Sequence, residues 1–318
     1  EYYEGDKVKS IYIGGGTPSS LSTSNLNKLF EIISHIRRIE DAEITFECNI
    51  NDITEELLII LKGNNVNRLS IGVESFNKRN LKLMNRNHTK KEVFEKINLC
   101  KKLGFNNINV DLIYALPDES LFTLKSDLNT MLKLGITHVS TYSLIIEEHT
   151  MLYNNGTKPI DELLDYKMYK YICKKLKKRG FHHYEVSNFS LLGYESKHNL
   201  IYWDNNEYYG FGLGAHGYIN EMRYENTRNF NKYLKGKYRL NELLVSTQEE
   251  MENEVILGLR KLDGISISEF NNRFKKDIFD VFKLDEAIKC KYLIMNGDKI
   301  YIPEDKIYVM NEIINMIL

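Results

Sequence analysis

No apolar run in this 318-residue chain is long enough to span a bilayer, and no secretory signal pattern is present in it. Strong charge is missing too. Lys and Arg total 43 against 44 Asp and Glu, a net charge of −1, so no field of one sign singles out nucleic acid or an anionic membrane. The four cysteines, Cys48, Cys100, Cys173 and Cys290, lie far apart without a Cys-x-x-Cys spacing. Cys100 and Cys173 fall in helical patterns, where a free thiol acts as a small hydrophobe, so a reducing cytoplasm is the expected setting. There is no Gly-Lys-Ser/Thr after the first glycine-rich turn, which excludes a Walker A loop. Gly210-Phe-Gly-Leu-Gly-Ala-His216 has neither the Gly-x-Gly-x-x-Gly spacing nor a strand-to-helix context, which excludes a dinucleotide fingerprint.

What is present is organised around Ile11-Tyr-Ile-Gly-Gly-Gly-Thr-Pro18. Ile11 to Ile13 read as the end of a buried strand. Three glycines then allow positive φ and close approach of a ligand to the backbone, and their N–H groups suit a carboxylate or phosphate. The alternative is a plain strand-to-helix turn. After it a unit recurs: amphipathic helix, glycine, β-branched strand. Helices are expected at Ser24–Glu40, from a cap at Thr54 to Gly63, from a Thr89/Glu92 capping box to Leu103, at Leu121–Leu134 and at Asp161–Lys178. Strands are expected at Ile44–Cys48, Arg68–Glu74, Ile108–Tyr114, Val139–Ser143 and His183–Ser187. Such alternation predicts parallel strands with βαβ crossovers, and six strands suit a barrel or partial barrel.

Glu47, Glu74, Asp111 and Glu185 fall at or near the C-terminal ends of these strands, and the glycine turn takes the same place on the first. That end of a barrel carries the site, and gathered carboxylates persist there only with a compensating ligand, cation or hydrogen-bond network. Residues 188–240 are rich in Asn, Tyr and Gly and poor in helical periodicity. They hold His198-Asn-Leu-Ile-Tyr-Trp203, which includes the one tryptophan. His198 and Trp203 suit a planar apolar ligand with a metal centre, or else an aromatic strap around a hydrogen-bonded histidine. From residue 247 onward a helix at Glu249–Lys261, a turn at Asp263-Gly264, two short helical patterns, an Asn296-Gly297 hairpin and a last apolar helix have the order of a winged helix. Arg273, Lys275 and Lys276 there read as a solvated face, not a DNA contact.

Gly14 to Pro18, Asn67-Arg-Leu-Ser-Ile-Gly-Val-Glu-Ser-Phe76, Asn109-Val-Asp-Leu-Ile-Tyr-Ala-Leu-Pro117 and Tyr184-Glu-Val-Ser-Asn-Phe189 resemble the radical SAM family of oxygen-independent coproporphyrinogen III oxidases and their relatives. Gly193-Tyr-Glu-Ser-Lys-His-Asn-Leu-Ile-Tyr-Trp203 is similar to the haem chaperone branch of that family. The resemblance covers nearly the whole chain. It implies an α/β fold: a partial (β/α)6 TIM barrel of the radical SAM type, missing its first βα unit, plus a small winged-helix-like α+β domain. The expected divisions are a barrel over 1–187, a connecting segment over 188–246 and the small domain over 247–318.

The resemblance further implies that S-adenosylmethionine (SAM) lies at the upper rim. Gly15, Gly16 and Thr17 would hold its methionyl part and Glu47 another part. Glu74, Arg86 and Asp111 would line the site, with Glu74 standing where relatives often carry Gln. His198, Asn199, Tyr202 and Trp203 match a motif associated with haem, His198 as an axial iron ligand. The family's Cys-x-x-x-Cys-x-x-Cys, whose thiolates hold a [4Fe-4S] cluster, is nowhere in the sequence. With Glu1 in place of a methionine, the cluster cysteines are expected before Glu1. This chain is then expected neither to hold the cluster nor to cleave SAM. The leading expectation is a cytoplasmic haem chaperone that binds haem and SAM and delivers haem to haem-accepting proteins. A homodimer and a peripheral membrane contact stay open. The enzymatic alternative is oxidative decarboxylation of coproporphyrinogen III, and a third reading is metal-assisted chemistry at the rim carboxylates.

Overall fold

The computed structural model describes residues 7–148 and 150–318. The chain divides into two compact units, the first comprising residues up to His183 and Ser187–His198, the second Tyr184–Val186 and Asn199–Leu318. In chain order the first unit contains β1 (Val8–Ile13), α1 (Thr23–Ser34), β2 (Arg38–Asn49), α2 (Glu55–Gly63), β3 (Arg68–Glu74), α3 (Lys78–Leu83), α4 (Lys90–Lys102), β4 (Asn107–Tyr114), α5 (Leu121–Met131), β5 (His138–Ser143), the single turn α6 (Met151–Asn154) and α7 (Glu162–Lys177). β6 (His182–Glu185) and β7 (Asn188–Ser190) complete a seven-stranded sheet of order β1-β2-β3-β4-β5-β7-β6. β1 to β5 run parallel.

The alternation along the strands explains the layering. Ile44, Phe46 and Cys48 of β2, Leu69, Ile71 and Val73 of β3, and Ile108, Val110 and Leu112 of β4 are buried. Successive side chains point to opposite faces. The other face therefore carries Glu43, Thr45 and Glu47, then Arg68 and Ser70, then Asn109 and Asp111. Leu26, Phe30 and Ile33 of α1 are buried, and the Phe30 and Phe46 rings lie 6.1 Å apart. The apolar face thus takes the helices, and the polar face lines the inside of a half-barrel.

Local signals set the helix ends. Thr54 accepts from the Leu57 N–H at 3.1 Å, and Thr89 and Glu92 form the full capping box. Gly104, Gly135 and Gly180 adopt positive φ where their helices give way to strands. Two expectations shift. The first helix stops at Ser34 instead of Glu40, because Arg37 and Glu40 fall where its apolar stripe would need hydrophobes, and β2 starts at Arg38. The sixth strand is not a parallel neighbour of the fifth. β7 pairs antiparallel with β5, and β6 lies at the sheet edge beyond it.

The second unit continues from helix α8 (Lys197–Trp203), which spans the division, through β8 (His216–Ile219), β9 (Met222–Asn226), α9 (Phe230–Leu234) and β10 (Arg239–Leu244). β10, β9 and β8 form an antiparallel sheet, with Asn220 and Glu221, both left-handed, turning β8 into β9. α10 (Thr247–Gly258), β11 (Ile265–Ser266), α11 (Ile267–Phe274), α12 (Ile278–Val281), α13 (Leu284–Lys289), β12 (Ile294–Asn296), β13 (Lys299–Tyr301) and α14 (Met310–Ile317) follow. They surround a core that includes Phe270, Ile278, Leu284, Ile300 and Ile313, over a sheet of order β11-β13-β12. Asn296 pairs with Lys299, so the hairpin turn is Gly297-Asp298, one residue later than expected. Among the described residues no helix is long and apolar enough to cross a membrane.

Candidate functional site

The C-terminal ends of β1 to β4 present the first group. Gly15 takes φ +83°, and its N–H donates to Glu47 Oε2 at 3.2 Å. Tyr12, the residue two before Gly14, donates its hydroxyl to Glu47 Oε1 at 2.6 Å. Gly14 is glycine because there is no room: a Cβ there would sit 2.5 Å from the Glu47 carboxyl and 2.6 Å from the Tyr12 ring. At Gly15 and Gly16 a Cβ would meet nothing within 4 Å. The turn is thus packed on its inner side and open on its outer side, with Thr17 exposed.

On β3, Glu74 sits at φ +68° and binds Arg86 through both carboxylate oxygens, at 2.9 Å to Nε and 2.5 Å to Nη2. The pair is largely covered, with side-chain exposures of 28% for Arg86 and 12% for Glu74. A left-handed non-glycine residue is a local cost that its surroundings must support. Ala115, just past β4, has φ +61°, so two adjacent strands end in this conformation. The charge that Glu adds at position 74 is answered by Arg86.

Below the rim, Asn109 forms a knot. Its Nδ2 donates to Ser70 Oγ at 2.9 Å and to Asp111 Oδ1 at 2.8 Å. Its Oδ1 lies 2.6 Å from His138 Nδ1 and accepts from Ser140 Oγ at 3.0 Å. Burial pushes the Asp111 carboxyl up to about 6, opposed by its hydrogen bonds and by the charge of Arg68. Arg68 itself is 2% exposed. Burial and the same arginine hold His138 well below the ordinary histidine range, so it is a neutral member of the network.

His198 also lies on this inner face. Its Nδ1 is 2.8 Å from Ser10 Oγ, and its ring stacks on Tyr12 with centroids 4.9 Å apart and planes at 23°. Glu43 holds the start of α8, accepting from the Lys197 N–H at 3.0 Å and the His198 N–H at 3.1 Å. Burial, and then the charge of Arg68, push the His198 imidazole down from its ordinary 6.5 to about 4, so it is neutral at physiological pH. The remaining motif residues belong to the second unit. The Tyr202 ring meets Tyr208 edge-on at 4.4 Å, and burial pushes its phenol up to about 12. The indole Nε1 of Trp203 is buried without a hydrogen-bond partner among the described residues, and the Arg260 guanidinium lies 5.9 Å from the ring. Asn199 is half-buried on the same helix.

The fold therefore brings Gly15 directly to Glu47, Glu74 directly to Arg86, and Asp111 into the Asn109 network, on neighbouring strands. Glu185 differs from the other three carboxylates. It ends β6 at the sheet edge, is fully buried, and pairs through its backbone with Lys261. Sequence reasoning singled out neither Tyr12 nor Asn109, nor the buried Arg68 and His138. For Asn109, Arg68 and His138 the signal was the polar–apolar alternation along β3, β4 and the start of β5, which marks a polar inner face; Tyr12 on β1 had no such signal. Among the described residues no group of three or more His, Cys, Asp or Glu side chains is placed to hold a metal ion.

Comparison with known proteins agrees over the whole length. The family model for the radical SAM superfamily matches residues 1–131, and that for the HemN C-terminal domain matches residues 245–304. The chain is 40% identical to the heme chaperone HemW of Lactococcus lactis subsp. lactis, over 99% of this chain and 86% of that protein. It is 38% identical to the heme chaperone HemW of Bacillus subtilis, over 98% and 86%, and 31% identical to that of Escherichia coli, over 100% and 86%. Among solved structures, coproporphyrinogen III oxidase (HemN) from Escherichia coli superposes with a TM-score of 0.83 over 96% of this chain and 76% of that one, at 18% identity. That likeness establishes the fold.

Proposed function

Because this chain belongs to the HemW family of haem chaperones within the radical SAM superfamily, we propose that it takes haem on helix α8 and SAM at the Gly14–Thr17 turn, and hands haem to haem-accepting proteins in the cytoplasm. The observation that carries the haem assignment is that His198, Asn199, Tyr202 and Trp203 share one short helix whose histidine is held neutral. A neutral imidazole keeps a lone pair for iron, which an imidazolium lacks. Bound haem supplies an iron open to axial ligation and two carboxylates at its edge. Trp203 Nε1, buried without a partner among the described residues, is a donor suited to such a carboxylate, with the Arg260 cation beside its ring.

The rim fits SAM by the chemistry of its donors. SAM combines an ammonium, a sulfonium, a carboxylate and ribose hydroxyls. The open outer side of Gly15 and Gly16 accepts close approach, and Glu47 on β2 and Asp111 on β4, with β3 between them, offer acceptors. A carboxyl raised by burial, as Asp111 is, gains from a cationic neighbour. Glu74 and Arg86 satisfy each other and act in this reading as the wall of the site.

The family's [4Fe-4S] cluster does not fit the described residues. Cys48 and Cys100 are buried, and burial pushes their thiols up, Cys100 to about 12. Cys173 and Cys290 lie on other elements, so no thiolate triad exists among them. We read 1–187 as the SAM-binding part, 188–246 as the segment carrying the haem motif, and 247–318 as the winged-helix-like part. A titration with hemin followed at the Soret band tests the reading. Saturable binding that His198→Ala weakens at least about tenfold is expected; absence of binding, or equal binding by the variant, overturns it.

A further inference from the structure

We propose that Tyr12 is a positioning residue that ties His198 of the haem motif to the glycine turn of the rim through Glu47. The inference rests on the reading of these two places as haem and SAM sites. Four contacts in series carry it. Ser10 Oγ meets His198 Nδ1 at 2.8 Å, the His198 ring stacks on the Tyr12 ring at 4.9 Å, the Tyr12 hydroxyl donates to Glu47 Oε1 at 2.6 Å, and Glu47 Oε2 accepts the Gly15 N–H at 3.2 Å. His198 and Gly15, 183 positions apart in sequence, are thereby linked through two side chains, Tyr12 and Glu47.

Each link has a physical reason to respond to its neighbour. The Tyr12 hydroxyl donates to the Glu47 carboxylate over 2.6 Å, a short charge-assisted bond. One Glu47 oxygen is fixed by Tyr12 and the other by Gly15, so moving the tyrosine turns the carboxylate and releases the amide. Gly14 packs against the same two groups, since a Cβ there would lie 2.5 Å from the Glu47 carboxyl and 2.6 Å from the Tyr12 ring. Haem iron would be held by the His198 imidazole through Nε2, with Nδ1 kept on Ser10. The tilt of the ring that such ligation sets would be passed to the Tyr12 ring stacked on it, and from its hydroxyl to Glu47 and the turn. Haem loading and rim geometry are coupled in both directions, as linkage requires.

The experiment is amide hydrogen exchange of the Gly14–Thr17 segment, with and without hemin, in the unmodified chain and in Tyr12→Phe, with Soret absorbance read on the same samples. Phe keeps the stack and removes the hydroxyl. Without hemin, Tyr12→Phe is expected to exchange the segment about fivefold faster, the loss of one net hydrogen bond. Hemin is expected to change the exchange of the unmodified chain and to leave that of Tyr12→Phe unchanged, although both bind hemin. Equal exchange in the two proteins without hemin, or an equal response to hemin, overturns the proposal. If the unmodified chain shows no Soret band, the haem reading fails by itself, while the hemin-free comparison still decides whether Tyr12 positions the turn. Should Tyr12→Phe fail to fold, Glu47→Gln weakens the same two bonds, and it must accelerate exchange of the segment for the proposal to stand.

Discussion

Removing one half of the Glu74–Arg86 pair should expose how the rim tolerates its extra carboxylate. Arg86→Met keeps much of the side-chain volume and leaves Glu74 covered, in a left-handed conformation, without its bidentate partner. Breaking a fully buried pair costs roughly 3–5 kcal/mol, while an exposed pair is worth about 0–1 kcal/mol. At 28% and 12% side-chain exposure the pair lies between these limits, and we expect Arg86→Met to cost about 2 kcal/mol. Glu74→Gln should cost less, since the amide still offers one acceptor and removes the charge that needs an answer. The double variant should then be more stable than Arg86→Met alone, with a coupling energy of about 1.5–2 kcal/mol. Urea unfolding of the four proteins at pH 7 measures it. Coupling below about 0.5 kcal/mol would refute the argument, because it would make the pair a solvated surface contact.

Two further perturbations follow from the same geometry. Gly14→Ala places a methyl within 2.6 Å of Glu47 and Tyr12; it should cost about 1–3 kcal/mol by overpacking and weaken SAM binding, measured by calorimetry, whereas Gly16→Ala, with open space around it, should change stability far less. His198 predicts a signed pH effect. Its folded pKa is depressed to about 4 from the ordinary 6.5, so its contribution is present above the unfolded value and is lost as pH falls toward 4, by on the order of 3 kcal/mol. Asp111, raised to about 6, has the opposite sign: its contribution is present below its unfolded value and lost as pH rises through 6. The difference between the unmodified chain and His198→Asn isolates the histidine, and parallel stability curves between pH 4 and 7 would contradict its burial.

Much of the barrel could be read from local chemistry. The Thr54 cap, the Thr89–Glu92 box and the glycines at 104, 135 and 180 each act through their own backbone, so the sequence contains the cause. β3 has the expected bounds because Arg68 to Glu74 alternate cleanly between faces. What was not legible depends on distant partners. The helix at 197–203 has too few residues to show a period, and its first turn is held by Glu43, about 150 positions earlier. The pairing of β7 with β5 is fixed by the sheet, not by Asn188–Ser190 themselves. At the site, the glycine turn and the rim carboxylates at 47, 74 and 111 were visible as residue types at strand ends. Their partners Tyr12, Arg86 and Asn109 were either unremarked or given a different role, since a hydrogen bond across strands leaves no trace in spacing. His198 was visible as a motif, but its stacking on Tyr12 was not.

The central claim is that this chain hands haem to an acceptor, and the rate law of transfer tests it most directly. The chain is loaded with hemin and mixed with rising concentrations of an apo-haemoprotein, and the shift of the Soret band is followed in time. Direct hand-over requires a complex of the two proteins, so the account predicts a transfer rate that rises with acceptor concentration and that changes when the His198 contact is removed. A rate independent of acceptor concentration, equal to simple loss of hemin into solution, would contradict it.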